Sequence, residues 1–453
     1  MTLETVRIFP EWQREVINAM GRFVLYDPST LQVFGISARM ATLLTSSHPF
    51  SPSAEEELWN LLQPFRDQGL ISLGSRIRRS HSICSGSSVH AVIAVAADCN
   101  HRCSYCWNGY GRFGKTGGIV MDRDVGLEVI EKIFSTYQES KLIEIEYYGG
   151  EPLIAWDTLM ASVNRAEQLA ESHGKKVTFS ITTNGSLLSE QVVDFLTQHK
   201  FWVAVSIDGD KDTHDSNRIL CGGGSSWDAA VRGAHALQQR GMRPAIRATV
   251  CSSNKSLLAV RDYLAGLGFE RIIVECVDSR LFGRQSYKNP AELAQRLYEE
   301  YAEEMIHRQL SGVQPSACVV GCTVDHVLEQ LWYSRARDHG CGLSQSRTVA
   351  FDVRGNPYPC RIFLNNDRWM LGHEGVKDRV SKLISICNDD CRTCEYKRIC
   401  GCACVGIKGI GADRKQHCER IQSAIRCAMW ILCEMSALGG EAVNRLVDAI
   451  PTH

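Results

Sequence analysis

From residue 89 the chain alternates between two patterns with a regularity that leaves few folds open. Short apolar runs occur at Val89–Ala97, Leu142–Tyr148, Val177–Thr182, Phe201–Ile207, Ala245–Val250 and Arg271–Cys276. Helix-like stretches separate them at Asp122–Tyr137, Asp157–His173, Ser189–His199, Ser226–Arg240 and Ser256–Leu267, and Ala291–Leu310 adds a sixth. The runs are apolar on both faces, as strands buried on both sides are. Six strand–helix units predict an α/β fold with a parallel sheet and right-handed crossovers. Active sites of such folds lie at the C-terminal ends of the strands, so the residues just after each run carry the candidate chemistry.

Different patterns flank this region. Upstream, the periodicity predicts a helix over Pro10 to Met20, strands at 22–26 and 31–34 around an Asp27-Pro28 turn, and helices at Ser37–Ser46 and Ser53–Gln68. Residues 75–89 are polar and Ser-rich, as a linker is. Downstream, residues 311–453 are loop-rich and close on a helix from about Glu419 to Leu438. The expected domains are therefore 1–80, 89–310 and 311–453, in line with the length of 453 residues.

The chain holds 20 cysteines. Its start has no basic head followed by an apolar run, and the densest apolar stretch near a motif, Ala91 to Ala97, is too short to span a bilayer. A cytoplasmic chain with reduced thiols is expected, in which clustered cysteines suggest metal and scattered ones a core role. A net charge of −1 gives no field for nucleic acid or an anionic membrane. Spacing then decides. Directly after the first strand comes Cys99-x3-Cys103-x2-Cys106, three thiols within eight residues. They can hold three corners of an iron–sulfur cubane and leave one iron open; zinc binding or chance clustering is the alternative.

Cys99, Cys103 and Cys106, with the aromatic Tyr105 before the last, resemble the signature of the radical S-adenosylmethionine (SAM) superfamily. Gly149-Gly150-Glu151-Pro152 after the second strand resembles that family's segment for the SAM amino group. Thr183 and Asn184 after the third, with Ser206, Asp208 and the downstream Arg218 after the fourth, resemble the rest of its SAM pocket. The resemblance covers about residues 89–280 and implies a partial (β/α)6, TIM-like barrel. Trp107–Gly118, with five glycines, reads as a loop over the cluster or a plain surface connection.

Further on, Cys341, Gly355 and Cys360 precede Cys391-x2-Cys394-x5-Cys400-x3-Cys404 and then Cys418. This order resembles the SPASM domain; structural zinc is the competing reading. The resemblance implies two auxiliary [4Fe-4S] clusters, three in all with the first. Cys391, Cys394, Cys400 and Cys418 would hold one, and Cys341, Cys360 and Cys404 three corners of the other, with Cys318 or Cys322 as its closing ligand. Cys427 and Cys433 read as core; Cys84, Cys221, Cys251 and Cys276 read as bystanders; Cys387 and Cys402 fall off the pattern.

Residues 1–80 resemble the winged-helix-like module by which peptide-modifying enzymes capture a leader peptide along a sheet edge. Phe23, Leu25, Tyr26, Val33 and Phe34 would lie on or near that edge. This region has eight Arg, no Lys and eight acids, so no basic face suits DNA.

Together these resemblances imply an enzyme that uses a 5′-deoxyadenosyl radical on a ribosomally made precursor peptide or protein, with flavodoxin or ferredoxin as reductant. In sulfatase-maturing relatives an Asp follows the second SPASM cysteine and serves as base; here Arg361 follows Cys360. Tyr358-Pro359-Cys360 through Phe363, with Leu371-Gly372-His373 nearby, looks more like maturases that form Cys thioether crosslinks. Carbon–carbon or aryl (cyclophane) crosslinking, formylglycine formation and a small-molecule SPASM dehydrogenase are the alternatives. No catalytic base is assigned: Glu146, Tyr147, Tyr148, His214 and Arg361 fit cavity and core equally.

Overall fold

The computed structural model describes residues 15–19, 22–27, 32–45, 57, 60–61, 88–110, 119–251, 256–277, 290–311, 319–332, 343, 347–394, 396–401, 404–410 and 414–436. The chain opens with β1 (Glu15–Ala19), β2 (Arg22–Asp27), β3 (Gln32–Ile36) and α1 (Ala38–Thr45). Next come β4 (Ser88–Ala96), β5 (His101–Cys103), α2 (Arg123–Thr136), β6 (Leu142–Gly149), α3 (Trp156–Ser172), β7 (Lys176–Thr183) and α4 (Glu190–Gln198). They are followed by β8 (Trp202–Ser206), α5 (Lys211–Asn217), β9 (Arg218–Leu220), α6 (Ser226–Gln239), β10 (Ala245–Val250), α7 (Leu257–Gly266), β11 (Arg271–Cys276) and α8 (Pro290–Leu310). The C-terminal region supplies β12 (Val319–Gly321), α9 (Thr323–Trp332), β13 (Thr348–Phe351), β14 (Pro357–Tyr358), α10 (Val376–Asp390), α11 (Lys397–Cys400), α12 (Val405–Gly409) and α13 (Arg414–Ser436).

The six expected strands are present and parallel, in the order β11-β10-β8-β7-β6-β4. Each crossover begins with a side-chain cap or an acidic first turn: Asp122, Ser189, Ser225 and Ser256 accept hydrogen bonds from the first turns of α2, α4, α6 and α7. One face of the sheet, with Ile93, Ile143, Ile145, Tyr147, Ile181, Val205 and Ile246, packs against the helices in the main core. Full burial of each such side chain is worth roughly 1.5–3 kcal/mol. The alternate residues of β6 (Glu144, Glu146 and Tyr148) point to the concave face and stay only half-buried.

The sheet is larger than six strands. β12 adds in parallel beyond β11, β13 adds in parallel beyond β4, and β14 closes that end antiparallel to β13. The C-terminal region thus shares the barrel's sheet. The closing helix α13 starts at Arg414, before the expected Glu419, and packs against α8, α9 and the N-terminal strands. Cys427 is buried in the core on it.

The N-terminal region corrects two expectations. Residues 15–19 form a strand, not part of a helix over Pro10 to Met20: they pair antiparallel with β2, Val16 opposite Leu25 and Ile17 opposite Val24. The β-branched pair fits a ladder once a partner strand exists, and tertiary pairing overrides local periodicity. Because the order is β1-β2-β3, β2 is central. Phe23, Leu25 and Tyr26 therefore lie on a strand paired on both sides, and of the expected edge residues only Val33 and Phe34, on β3, lie on an edge strand. Helix Ser53–Gln68 and the linker lie almost wholly outside the described residues. Among the described residues no helix is long and apolar enough to cross a membrane.

A small ribbon lies beside the sheet: β5 pairs antiparallel with β9, setting Cys103 opposite Arg218. Helix α5 delivers β9, and its cap Asp210 accepts from the backbone N–H and the hydroxyl of Thr213, both at 3.1 Å. Asp210→Ala is expected to cost about 1 kcal/mol, read as a lowered urea midpoint.

Candidate active site

The cysteine motif is held by backbone. Gly150 N–H donates to the Ala96 carbonyl and Glu151 N–H to the Asp98 carbonyl, both at 2.9 Å. A Cβ on Gly149 would stand 2.2 Å from the Ala96 oxygen, and one on Gly150 would stand 2.1 Å from the Asp98 oxygen. Gly149 also has φ +142°, open to glycine. The glycine pair thus presses the end of β6 against the chain that enters the motif. Cys99 Sγ accepts from His101 N–H at 3.3 Å, and Cys106 Sγ accepts from Tyr110 N–H at 3.1 Å. The Cys106 thiol reaches Asn108 Oδ1 at 2.9 Å, and the Asn108 amide donates to the Gly149 carbonyl at 3.2 Å.

Burial pushes the thiols of Cys99 and Cys106 up, and that of Cys103 to about 12 although Arg218 pulls it down. Buried thiols of this kind ionise only against a compensating cation, which bound iron supplies. Among the described residues no three His, Cys, Asp or Glu side chains converge as on a single ion. Thiolates of an iron–sulfur cluster bind separate irons and stand farther apart. Three thiols within eight residues fit a cubane that keeps one iron open.

Glu151 is fully buried and joins two strand ends. One oxygen accepts from Leu153 N–H at 3.1 Å and the Thr183 hydroxyl at 2.8 Å; the other accepts from Asn184 N–H at 2.7 Å. Burial raises its pKa to about 7 against these donors. The Asn184 amide donates to Asn100 Oδ1 at 2.8 Å and lies 3.8 Å from Cys99 Sγ, while Ser186 O–H donates to Asn184 Oδ1 at 2.6 Å.

Asp208, 1% exposed, is the hub of the fourth strand end. It takes the Tyr105 hydroxyl, Arg218 Nη2 at 3.0 Å and Thr249 N–H at 2.9 Å. The Arg218 guanidinium also lies 5.4 Å from the centre of the Tyr105 ring. Ser206, 9% exposed, closes β8. His214 accepts from Asp208 N–H through Nδ1 at 3.1 Å, so its proton sits on Nε2; burial, then Arg218, holds its pKa down to about 4. Every residue expected in the SAM pocket therefore lies at this end of the barrel. Asn100, Asn108 and Ser186 belong to the same networks and were not foreseen. Their only sequence signal is that two of them fall within or just after the cysteine motif.

Some of the second set of cysteines lie close to one another. Cys391, Cys394 and Cys418 are electrostatic neighbours, with Arg414 donating to Cys391 Sγ at 2.7 Å. Cys400 ends α11 just before Gly401, which takes a left-handed cap. Cys360 and Cys404 both neighbour Arg361. Cys322 is not brought to them: it is buried in the core beside Asp325, Glu275 and the Tyr301 that bonds Asp325. Cys318 and Cys341 lie outside the described residues, as do Cys84, Cys402 and positions 111–118 of the glycine-rich loop.

Of the residues left without a role, Tyr147 is core, stacked on Phe201 at 6.0 Å. Glu146, Tyr148 and Arg361 meet on the concave face. Arg361 Nη1 donates to Glu146 at 2.9 Å, and its guanidinium lies 5.7 Å from the centre of the Tyr148 ring. His90 Nε2 lies 3.2 Å from the same carboxylate. Burial alone would raise the pKa of Glu146, but His90 and Arg361 outweigh it and hold it low, so it is ionised.

Residues 93–253 match the model of the Radical SAM superfamily. A cysteine-type anaerobic sulfatase-maturating enzyme of Clostridium perfringens is 22% identical over 336 residues, 68% of this chain and 86% of that protein. The solved structure of native anSMEcpe with bound AdoMet and Kp18Cys peptide superposes with a TM-score of 0.60 at 20% identity, covering 79% of this chain and 99% of that one. Streptococcus suis SuiB bound to S-adenosylmethionine superposes with a TM-score of 0.50 at 14% identity, covering 86% and 94%. At these identities the superpositions speak for the fold, and the family model spans the first five strand ends. Residues 93–253 form a radical SAM domain, and the chain that carries it is a radical SAM enzyme.

Proposed function

We propose that this enzyme matures a ribosomally made peptide or protein by forming a crosslink, a Cys thioether in the first instance. The observation that carries the reading is Arg361. It follows Cys360 directly and reaches across the concave face to Glu146, two residues before the start of the Tyr148–Gly149–Gly150 strand end. The Arg361–Glu146 pair thus links the corner of Cys360 and Cys404 to the end of β6, where a peptide would touch both. The sulfatase-maturating relative and the peptide in the anSMEcpe structure support a peptide substrate.

Cys99, Cys103 and Cys106 would hold the SAM-binding cluster. Cys391, Cys394, Cys400 and Cys418 would hold one auxiliary cluster, and Cys341, Cys360 and Cys404, with Cys318, the other. Glu151, Thr183, Asn184, Ser206, Asp208, Arg218 and Tyr105 would frame SAM, with Gly149 and Gly150 shaping the floor. With cluster and SAM bound, the site supplies a 5′-deoxyadenosyl radical able to take hydrogen from an unactivated carbon. The chain's own part is to hold the peptide carbon in place and keep water away. Forming a carbon–sulfur bond removes two hydrogens from the peptide, one as an atom and one as a proton with an electron. Flavodoxin or ferredoxin would deliver the reducing electron in the cytoplasm. Residues 1–80 would bind the leader, along β3 or β1.

Formylglycine formation is the second reading, favoured by the sulfatase-maturating relative and by Glu146, an ionised carboxylate beside Arg361 that could serve as base. The reconstituted chain is expected to bind about twelve irons, three cubanes' worth. The reduced enzyme with SAM and the short Cys-containing peptide of a neighbouring reading frame decides the rest. A peptide lighter by two hydrogens with its sulfur retained supports crosslinking; loss of the sulfur supports formylglycine; an unchanged peptide mass overturns both.

A further inference from the structure

Three arginines gather at the concave face among the described residues. Arg247 points there from β10, since its neighbours Ile246 and Ala248 turn into the helix-facing core. Arg361 enters from beyond β14, and Arg420, on α13, stands 3.9 Å from Glu275. Among the described residues Glu275 and Glu146 are the carboxylates that act on Arg247, and both are already engaged. Glu146 is held by Arg361 and His90, and Glu275 by Arg420 and the Thr323 hydroxyl at 2.9 Å. The Arg247 guanidinium makes no hydrogen bond or ion pair among the described residues, and its side chain is open to the space. Both bonds of Arg361 to Glu146 use Nη1, which leaves its other edge open. Enclosure by protein, then the charge of Arg361, holds the pKa of Arg247 below the ordinary value, as for a cation short of an anion. A guanidinium open to this space can take a ligand, and its planar fork matches a carboxylate.

We propose that Arg247, with Arg361 beside it, receives a carboxylate of the substrate peptide, so that the residue to be modified has an aspartate or glutamate as a near neighbour. This rests on the peptide reading above and names its specificity. SAM brings a carboxylate of its own, but Arg218 stands at the SAM end, across β8 and opposite Cys103. An acid on the peptide then suits Arg247.

The test uses the oxidised holoenzyme, so that SAM is bound without being cleaved. Labelling of Arg247 and Arg361 by phenylglyoxal is followed by peptide-mapping mass spectrometry at matched ionic strength. The probes are N-acetyl-aspartate methylamide, N-acetyl-asparagine methylamide and SAM. With SAM present, the aspartate probe is expected to slow labelling of Arg247 roughly tenfold, the scale of one charge-assisted contact, and the asparagine probe to leave it alone. In Arg247→Gln the aspartate probe is expected to protect Arg361 less than in the parent. Equal effects of the two probes overturn the proposal. Full protection by SAM alone also overturns it and assigns the cradle to the cofactor's carboxylate. Failure of the peptide reading is separate: it shows as an unchanged mass of the precursor peptide, whatever the labelling reports.

Discussion

Cys103→Ala is expected to reduce 5′-deoxyadenosine formation to background and to lower bound iron by about four per chain, one cubane's content. The cause is local. Cys103 sits on β5, opposite Arg218, between the two other thiols of the motif, with Cys106 its electrostatic neighbour. A cluster held by these three thiols would keep two, and the iron that would bind SAM would be lost with it. Cys427→Ala is the matched control. That thiol is 1% exposed and packed in the core of α13, so its loss costs stability through packing and leaves the iron content at its full value. Iron assay and chromatography of the SAM products on the two variants separate ligand from core cysteine. Equal iron in Cys103→Ala and the parent chain would remove the first motif from the metal count.

The strength of the sequence as a guide varied with the length of the element. The six barrel strands and the helices between them stand within about two residues of their expected bounds. Each is long enough for its periodicity to speak, and each is closed by a cap or a turn residue. The strand-end residues followed from that register. Glu151, Asn184 and Asp208 each sit one or two residues past a strand and bond to the neighbouring strand end. What escaped was short or non-local. β5 and β9 have three residues each, too few to show a period, yet their pairing is what brings Arg218 to Cys103. β13 and β14 are similarly brief, and β13 joins β4 from some 250 residues away while β14 pairs with β13. Residues 15–19 read as helix because Trp12, Val16 and Met20 recur at helical spacing; only the partner strand β2 decides against it. Arg361 was legible as a departure from a family pattern, but its ion pair with Glu146 joins positions 215 residues apart. Arg247 gave no signal at all, since one arginine in a strand usually marks an exposed edge. Its position on the concave face depends on the curl of the whole sheet.

The ion pair of Asp208 and Arg218 is expected to dominate the stability of the SAM end. Asp208 accepts from Arg218, from Tyr105 and from the backbone of Thr249, with 1% of its surface exposed; Arg218 is 8% exposed. Asp208→Ala leaves a buried guanidinium without its anion and is expected to cost about 3–5 kcal/mol. Arg218→Met leaves the carboxylate with two donors still in place and is expected to cost less, about 1–3 kcal/mol. In the double variant neither charge remains, so the combined loss falls short of the sum by about 1–3 kcal/mol. Urea midpoints of the four proteins close this cycle, and additivity within about 0.5 kcal/mol would mean that the two side chains are not coupled. The same cycle has a second readout. Arg218 lies opposite Cys103 in the β5–β9 ribbon, so a guanidinium freed from Asp208 no longer ties that ribbon to the sheet. Iron retention under chelator is therefore expected to fall faster in Asp208→Ala than in Asp210→Ala, which weakens only the helix that leads to the ribbon.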